Sequence, residues 1–122
     1  MLKDIIFVGL GGFLGSVSRY LVGIKLLQLG WQMPWPTFLI NIVGSLIIGT
    51  LMALTFKLEQ EWKLIAIVGF CGGFTTFSTF SWENMKLWQE GQMLTAVTYA
   101  ILSLIIGLLA VGSAFWATNK VL

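Results

Sequence analysis

The sequence contains no histidine, one cysteine and two prolines in 122 residues. Without histidine there is no imidazole for acid–base catalysis or for a histidine metal site. The lone Cys71 cannot close a disulfide within the chain, and one thiolate builds neither a zinc nor an iron–sulfur cage. Charge is scarce as well: 10% of the residues are charged, where soluble domains carry roughly 25%. The seven Lys and Arg are scattered, with no basic run to grip phosphates, so nucleic acid is not an expected partner. An enzyme is not expected either.

What fills the chain instead is apolar. Hydrophobic residues make up 57% of it, with a mean hydropathy of +0.91. A membrane-spanning helix takes about 20 apolar residues, so the chain has room for about four spans and almost nothing beyond them. It reads as an all-α integral membrane protein of the cell membrane, one transmembrane domain over residues 1–122, with its surface in the lipid bilayer.

The spans fall at about 5–27, 36–56, 62–89 and 93–117. Trp31, Pro34, Trp35 and Pro36 mark an interfacial turn that leads into the second span, with Pro36 at its first helical position. Lys57, Glu59, Glu61 and Lys63 make the most polar loop, and Gly91–Gln92 a short turn. The first apolar stretch is too long for a signal-peptide core and carries Arg19, so cleavage is not expected. With four spans both termini share a side. That side collects Lys3, Lys57, Lys63 and Lys120, against Lys25, Lys86 and Arg19 opposite. So small a bias admits both a termini-inside protein and a chain inserted both ways to form antiparallel dimers.

The third span is predicted to break in its middle. After Trp62–Cys71, about ten residues or roughly 15 Å of helix, comes Gly72-Gly73-Phe74-Thr75-Thr76-Phe77-Ser78-Thr79-Phe80. Paired glycines weaken a helix, and hydroxyl side chains compete for its backbone groups. Half of a core about 30 Å thick is then crossed, so the break lies near the bilayer midplane. Irregular backbone at that depth needs shielding by protein or by a polar cavity, and it typically marks an ion or substrate site. The glycines alone would equally serve close helix packing; the four hydroxyls point to a site.

Polar stripes run along the neighbouring spans. Thr37, Asn41, Ser45 and Gly49 recur every four residues on the second, and Thr95, Tyr99, Ser103 and Gly107 on the fourth. The Asn41 carboxamide can donate two hydrogen bonds, which suits an anion, or it can bridge helices. Arg19, on about the same face as Gly12 and Ser16, either faces a cavity or partner or extends to the interface. Either way its charge favours anions at a membrane entrance, and Glu83 is the nearest candidate counter-charge by depth. Phe74, Phe77 and Phe80 stand three apart in the polar segment. Ring edges carry the positive part of the aromatic quadrupole and can face an anion without hydrating it.

Over all four spans the chain resembles the Fluc (CrcB-type) fluoride channels. The strongest piece is Gly69-Phe70-Cys71-Gly72-Gly73-Phe74-Thr75-Thr76-Phe77-Ser78-Thr79-Phe80-Ser81 followed by Glu83. Gly11-Gly12-Phe13-Leu14-Gly15 leading to Arg19-Tyr20, and Asn41-Ile42-Val43-Gly44-Ser45, support it. The resemblance implies passive, fluoride-selective export that relieves fluoride toxicity. It also implies a dual-topology dimer with two pathways and a central structural Na+. The Na+ would be held by the backbone carbonyls of Gly72 and Thr75. The fluoride pathway would be lined by Phe77, Phe80, Asn41, Tyr99 and Ser103, with Arg19 in the vestibule. Gly107 stands where some relatives continue the polar track with serine. A two-fold axis in the membrane plane maps the midplane onto itself, so breaks from two antiparallel copies meet at one depth. The partner is a second copy or a homologous chain of opposite orientation.

Two other readings fit the size and hydropathy. A small dual-topology proton-coupled exporter needs a titratable group in mid-membrane. Here Asp4, Glu59, Glu61 and Glu90 lie in loops or at ends, and Glu83 sits late in the third span. A non-conducting assembly subunit would show no activity in pure lipid vesicles.

Overall fold

In a backbone surrounded by lipid every N–H and C=O has to find a partner inside the protein, and the chain meets this with helices alone. The computed structural model describes residues Met1–Leu122. Helix α1 is Leu2–Gln28 and α2 is Trp35–Ala53, followed by a 3-10 turn at Thr55–Lys57. The third span opens with α3, Gln60–Trp62, passes through a π-helical stretch, Lys63–Cys71, and continues as α4, Gly72–Phe74. After Thr75 and Thr76 come α5, Phe77–Gln89, and α6, Met93–Val121. Four helical segments are long and apolar enough to cross a membrane: Leu2–Gln28, Trp35–Ala53, Gln60–Gln89 and Met93–Val121. The chain is a multi-pass membrane protein.

Local sequence explains the ends. Pro36 lies in the first turn of α2, where its missing N–H has no intrahelical partner to lose. Gly30 and Gly91 carry φ of +94° and +77° in the two tight connections, a conformation that a side chain would strain. The last helix runs past the expected residue 117 to Val121, its polar end stitched by the Thr118 hydroxyl donating to the Ala114 carbonyl at 2.7 Å. The second ends at Ala53, short of the expected 56, and tightens into the 3-10 turn.

The break also sits later than the glycine pair suggested. Gly72 and Gly73 are helical, and the extended residues are Thr75 and Thr76. Their hydroxyls decide the place. Thr75 Oγ1 donates to the Cys71 carbonyl at 2.8 Å, and Thr76 Oγ1 caps α5 by accepting the Thr79 N–H at 3.2 Å. The stretch before them, Lys63–Cys71, is wound as a π-helix rather than the expected α-helix.

Two helix pairs build the molecule. α1 packs along the π-helical stretch and α4, and α2 packs along α6. The first contact is made backbone to backbone. A Cβ at Gly11 would strike the Ile65 carbonyl and one at Gly15 the Phe70 carbonyl, while one at Gly73 would lie 2.6 Å from the Gly12 carbonyl. This close approach lets dispersion and weak C–H···O contacts stand in for a hydrophobic drive that lipid does not supply. Leu87, Ala96 and Tyr99 form a small core between α5 and α6, covered by Trp35, Phe38 and Phe80. Buried residues number 17 of 122, so most apolar surface points outward, as lipid contact requires.

Gly15→Val should therefore cost about 3 kcal/mol or more by forcing α1 away from the third span. Gly9→Ala, with no atom within 4 Å of the added Cβ, should leave stability unchanged or slightly raised. Thermal unfolding of both variants in detergent is the measurement, and equal melting temperatures would contradict the packing account.

Candidate functional site

The break frees backbone groups, and several of them find a specific side-chain partner. Thr75 has φ −85° and ψ 158°, and Thr76 φ −149° and ψ 114°. Asn41, on α2, faces Thr76 and satisfies both of its backbone polar groups. Asn41 Oδ1 accepts the Thr76 N–H at 2.9 Å, and Asn41 Nδ2 donates to the Thr76 carbonyl at 3.2 Å. Ser45, one turn on, donates to the Asn41 carbonyl at 2.8 Å. From α1, Arg19 Nε donates to the Gly73 carbonyl at 3.0 Å. Outside the regular helices, no hydrogen bond ends on the carbonyls of Gly72 or Thr75. Nothing lies within 4 Å of a Cβ added at Gly72, so that side of the break is open.

These residues wall an open groove with a volume of about 600 Å³. Asn41, Ser45, Gly72, Thr75, Thr76 and Ser103 supply its polar surface, and Phe77, Phe80, Ile48, Ile67 and Leu104 its apolar surface. No carboxylate, amine or guanidinium lines it. Ser103 Oγ is buried and has no hydrogen-bond partner in the protein. Asn41 keeps one amide N–H beyond the one given to Thr76. The Phe77 and Phe80 rings stand 5.8 Å apart, and Phe77 is 80% exposed at the rim. The groove thus offers neutral donors, peptide dipoles and aromatic rings, a set that can replace the water around a small ion.

Tyr99 is placed behind this wall. It is fully buried, its ring 5.0 Å from that of Phe80, and its hydroxyl donates to Glu83 Oε1 at 3.1 Å. Thr37 donates to the other oxygen, Glu83 Oε2, at 3.1 Å. The two polar stripes therefore converge on Glu83 at one end and on the break in the middle. Glu83 does not pair with Arg19, as its depth suggested: two hydroxyls satisfy it, and Arg19 turns to a carbonyl instead. Thr37 and Tyr99 each belong to one of the two stripes, and that register was the signal that could have found the trio. Gly107 faces Ser45, whose Oγ would lie 3.8 Å from an added Cβ.

Known proteins are similar to the chain over most of its length. Residues 6–115 match the family described as CrcB-like protein, Camphor Resistance (CrcB). The chain belongs to the CrcB family. A relative from Azobacteroides pseudotrichonymphae, named Fluoride-specific ion channel FluC, is 43% identical over 115 residues, 91% of this chain and 92% of the relative. One of the same name from Phocaeicola vulgatus is 40% identical over 121 residues, 97% of this chain and all of the relative. Fluoride-specific ion channel FluC 1 from Nitrobacter hamburgensis is 47% identical over 106 residues, 84% of each chain. CrcB membership thus covers all four spans, with the broken third span inside the matched region.

In this CrcB protein, Asn41→Leu should leave the Thr76 N–H and carbonyl unpaired and cost about 2–3 kcal/mol. Unfolding in detergent against wild type checks it, and a loss below half that figure would show that the break does not depend on the carboxamide.

Proposed function

We propose that the chain is a fluoride-selective channel that lets fluoride leave the cell passively and so relieves its toxicity. The groove wall carries this reading. It gathers the free Ser103 hydroxyl, the spare Asn41 N–H and the edges of Phe77 and Phe80, with no titratable carboxylate or amine among them. The relatives named as fluoride-specific ion channels support it.

The chemistry follows from the ion. Fluoride is small and holds its water tightly, so a narrow dry track must offer short donors in exchange. Ser103 and Asn41 provide hydrogen bonds, and the positive ring edges of the phenylalanines close the shell without adding water. Chloride is too large for contacts set at fluoride's radius. Tyr99 acts from behind Phe80, fixing the ring and closing the hydrogen-bond network to Glu83. A proton-coupled exporter would need a titratable group in the wall; Glu83 is held outside it by Thr37 and Tyr99.

The working unit of this reading is an antiparallel pair, formed with a second copy or with a homologous chain. A partner related by an axis in the membrane plane brings its own break to the same depth and covers the open side of the groove. The carbonyls of Gly72 and Thr75 fit a monovalent cation on that axis. They are neutral oxygens, free of hydrogen bonds outside the regular helices, beside an open face. Two from each chain make four, too few and too weakly charged to dehydrate Mg²⁺ or Ca²⁺. A bound Na+ would supply fixed positive charge between the two breaks.

Vesicles holding only this chain should release fluoride, read with an electrode, far faster than chloride. Phe77→Ile or Phe80→Ile keeps the apolar bulk and removes the quadrupole, so flux should fall by about tenfold or more per ring, each ring contact being worth about 1–2 kcal/mol. Asn41→Asp should block as well, by repulsion. Chloride flux equal to fluoride flux, or both isoleucine variants conducting normally, would sink the reading.

Replacing Na+ with N-methylglucamine should lower both the melting temperature of the assembly and its fluoride flux. If neither moves, the carbonyls of Gly72 and Thr75 hold no cation.

A further inference from the structure

We propose that Arg19 is a positioning residue that caps the first half of the broken span. In an unbroken helix the Gly73 carbonyl would accept the N–H of Phe77, four residues on. With Thr75 and Thr76 extended, that N–H is carried into α5, and the carbonyl loses its partner. Arg19 Nε supplies the missing donor at 3.0 Å. On the far side, Asn41 grips Thr76 through two hydrogen bonds. The break is thus clamped from α1 before it and from α2 after it.

The reach depends on the glycine face of α1. Gly12 lies under Gly73, and Gly15, one turn before Arg19, lies under Phe70. Arg19 makes no salt bridge, and Nε is the only nitrogen of its guanidinium bonded to the protein. This assigns it a role set by where its donor sits, separate from any steering of anions by its charge. The assignment stands whichever ion crosses the membrane.

A pair of substitutions separates donor from charge. In Arg19→Gln the side-chain amide nitrogen occupies the same place along the side chain as Nε, so the donor is kept and the charge is lost. Arg19→Met keeps the length and loses both. Amide hydrogen exchange across residues 71–80 in the full chain is the readout. Arg19→Met should speed exchange at Thr75 and Thr76 by about tenfold, the loss of one partly buried hydrogen bond. Arg19→Gln should stay close to wild type. Arg19→Gln exchanging as fast as Arg19→Met, or Arg19→Met keeping wild-type protection, overturns the proposal. If Arg19→Met does not fold, Arg19→Gln decides alone: retained protection supports it and lost protection refutes it. Absence of fluoride flux in wild type would refute the channel reading and leave this result untouched.

Discussion

The break in the third span depends on how the backbone of one residue is hydrogen-bonded. The Thr76 N–H and carbonyl sit midway along the third span, and Asn41 satisfies both. An amide side chain carries its acceptor and its donor on separate atoms of one planar group, so it can accept from the N–H and donate to the C=O of the same residue. It mimics the strand neighbour that an extended residue would have in a sheet. Aspartate could accept but not donate, and leucine could do neither. One carboxamide therefore makes it possible for two residues of extended backbone to exist inside a bundle of helices.

Glycine makes the rest reachable. The helices of the first pair meet through backbone atoms, which brings α1 close enough for its side chains to touch the interior of the break. Gly44 does the same on α2, where a Cβ would collide with the Thr75 methyl. Small residues at these contacts leave the larger ones free to face lipid or the groove. The polar trio of Glu83, Thr37 and Tyr99 then ties α2, α5 and α6 together at one end. Two clusters of side-chain hydrogen bonds, one at the break and one at Glu83, join helices that share little hydrophobic core.

Much of this was legible from residue order. Apolar length places four spans, because helix rise and bilayer thickness leave little choice. Four-residue spacing put Asn41 and Ser103 on facing stripes, and the structure sets both in one groove with Phe77, Phe80, Gly72 and Thr75. What spacing could not decide was where a polar group spends its hydrogen bonds. Arg19 and Glu83 lie at similar depth with opposite charge, yet each found a neutral partner on another helix. Tyr99 shares a stripe with Ser103 but turns behind the wall, since a ring of that size packs where a hydroxymethyl cannot. The break likewise settled on the threonines, whose hydroxyls offer competing bonds, and the glycine pair went to packing.

The pairing of α1 with the third span has a consequence for how the protein is made. Arg19 and Gly73 are 54 positions apart. At about 5–20 residues per second, translation leaves the glycine face of α1 in the membrane for several seconds before its partner emerges. During that interval α2 is the only other span present, and its contact with α1 is the lesser one. A backbone-lined groove of that kind is a docking place for any small-residue helix nearby. Until the second half of the chain arrives, the glycine face of the first helix has no close backbone partner in the chain.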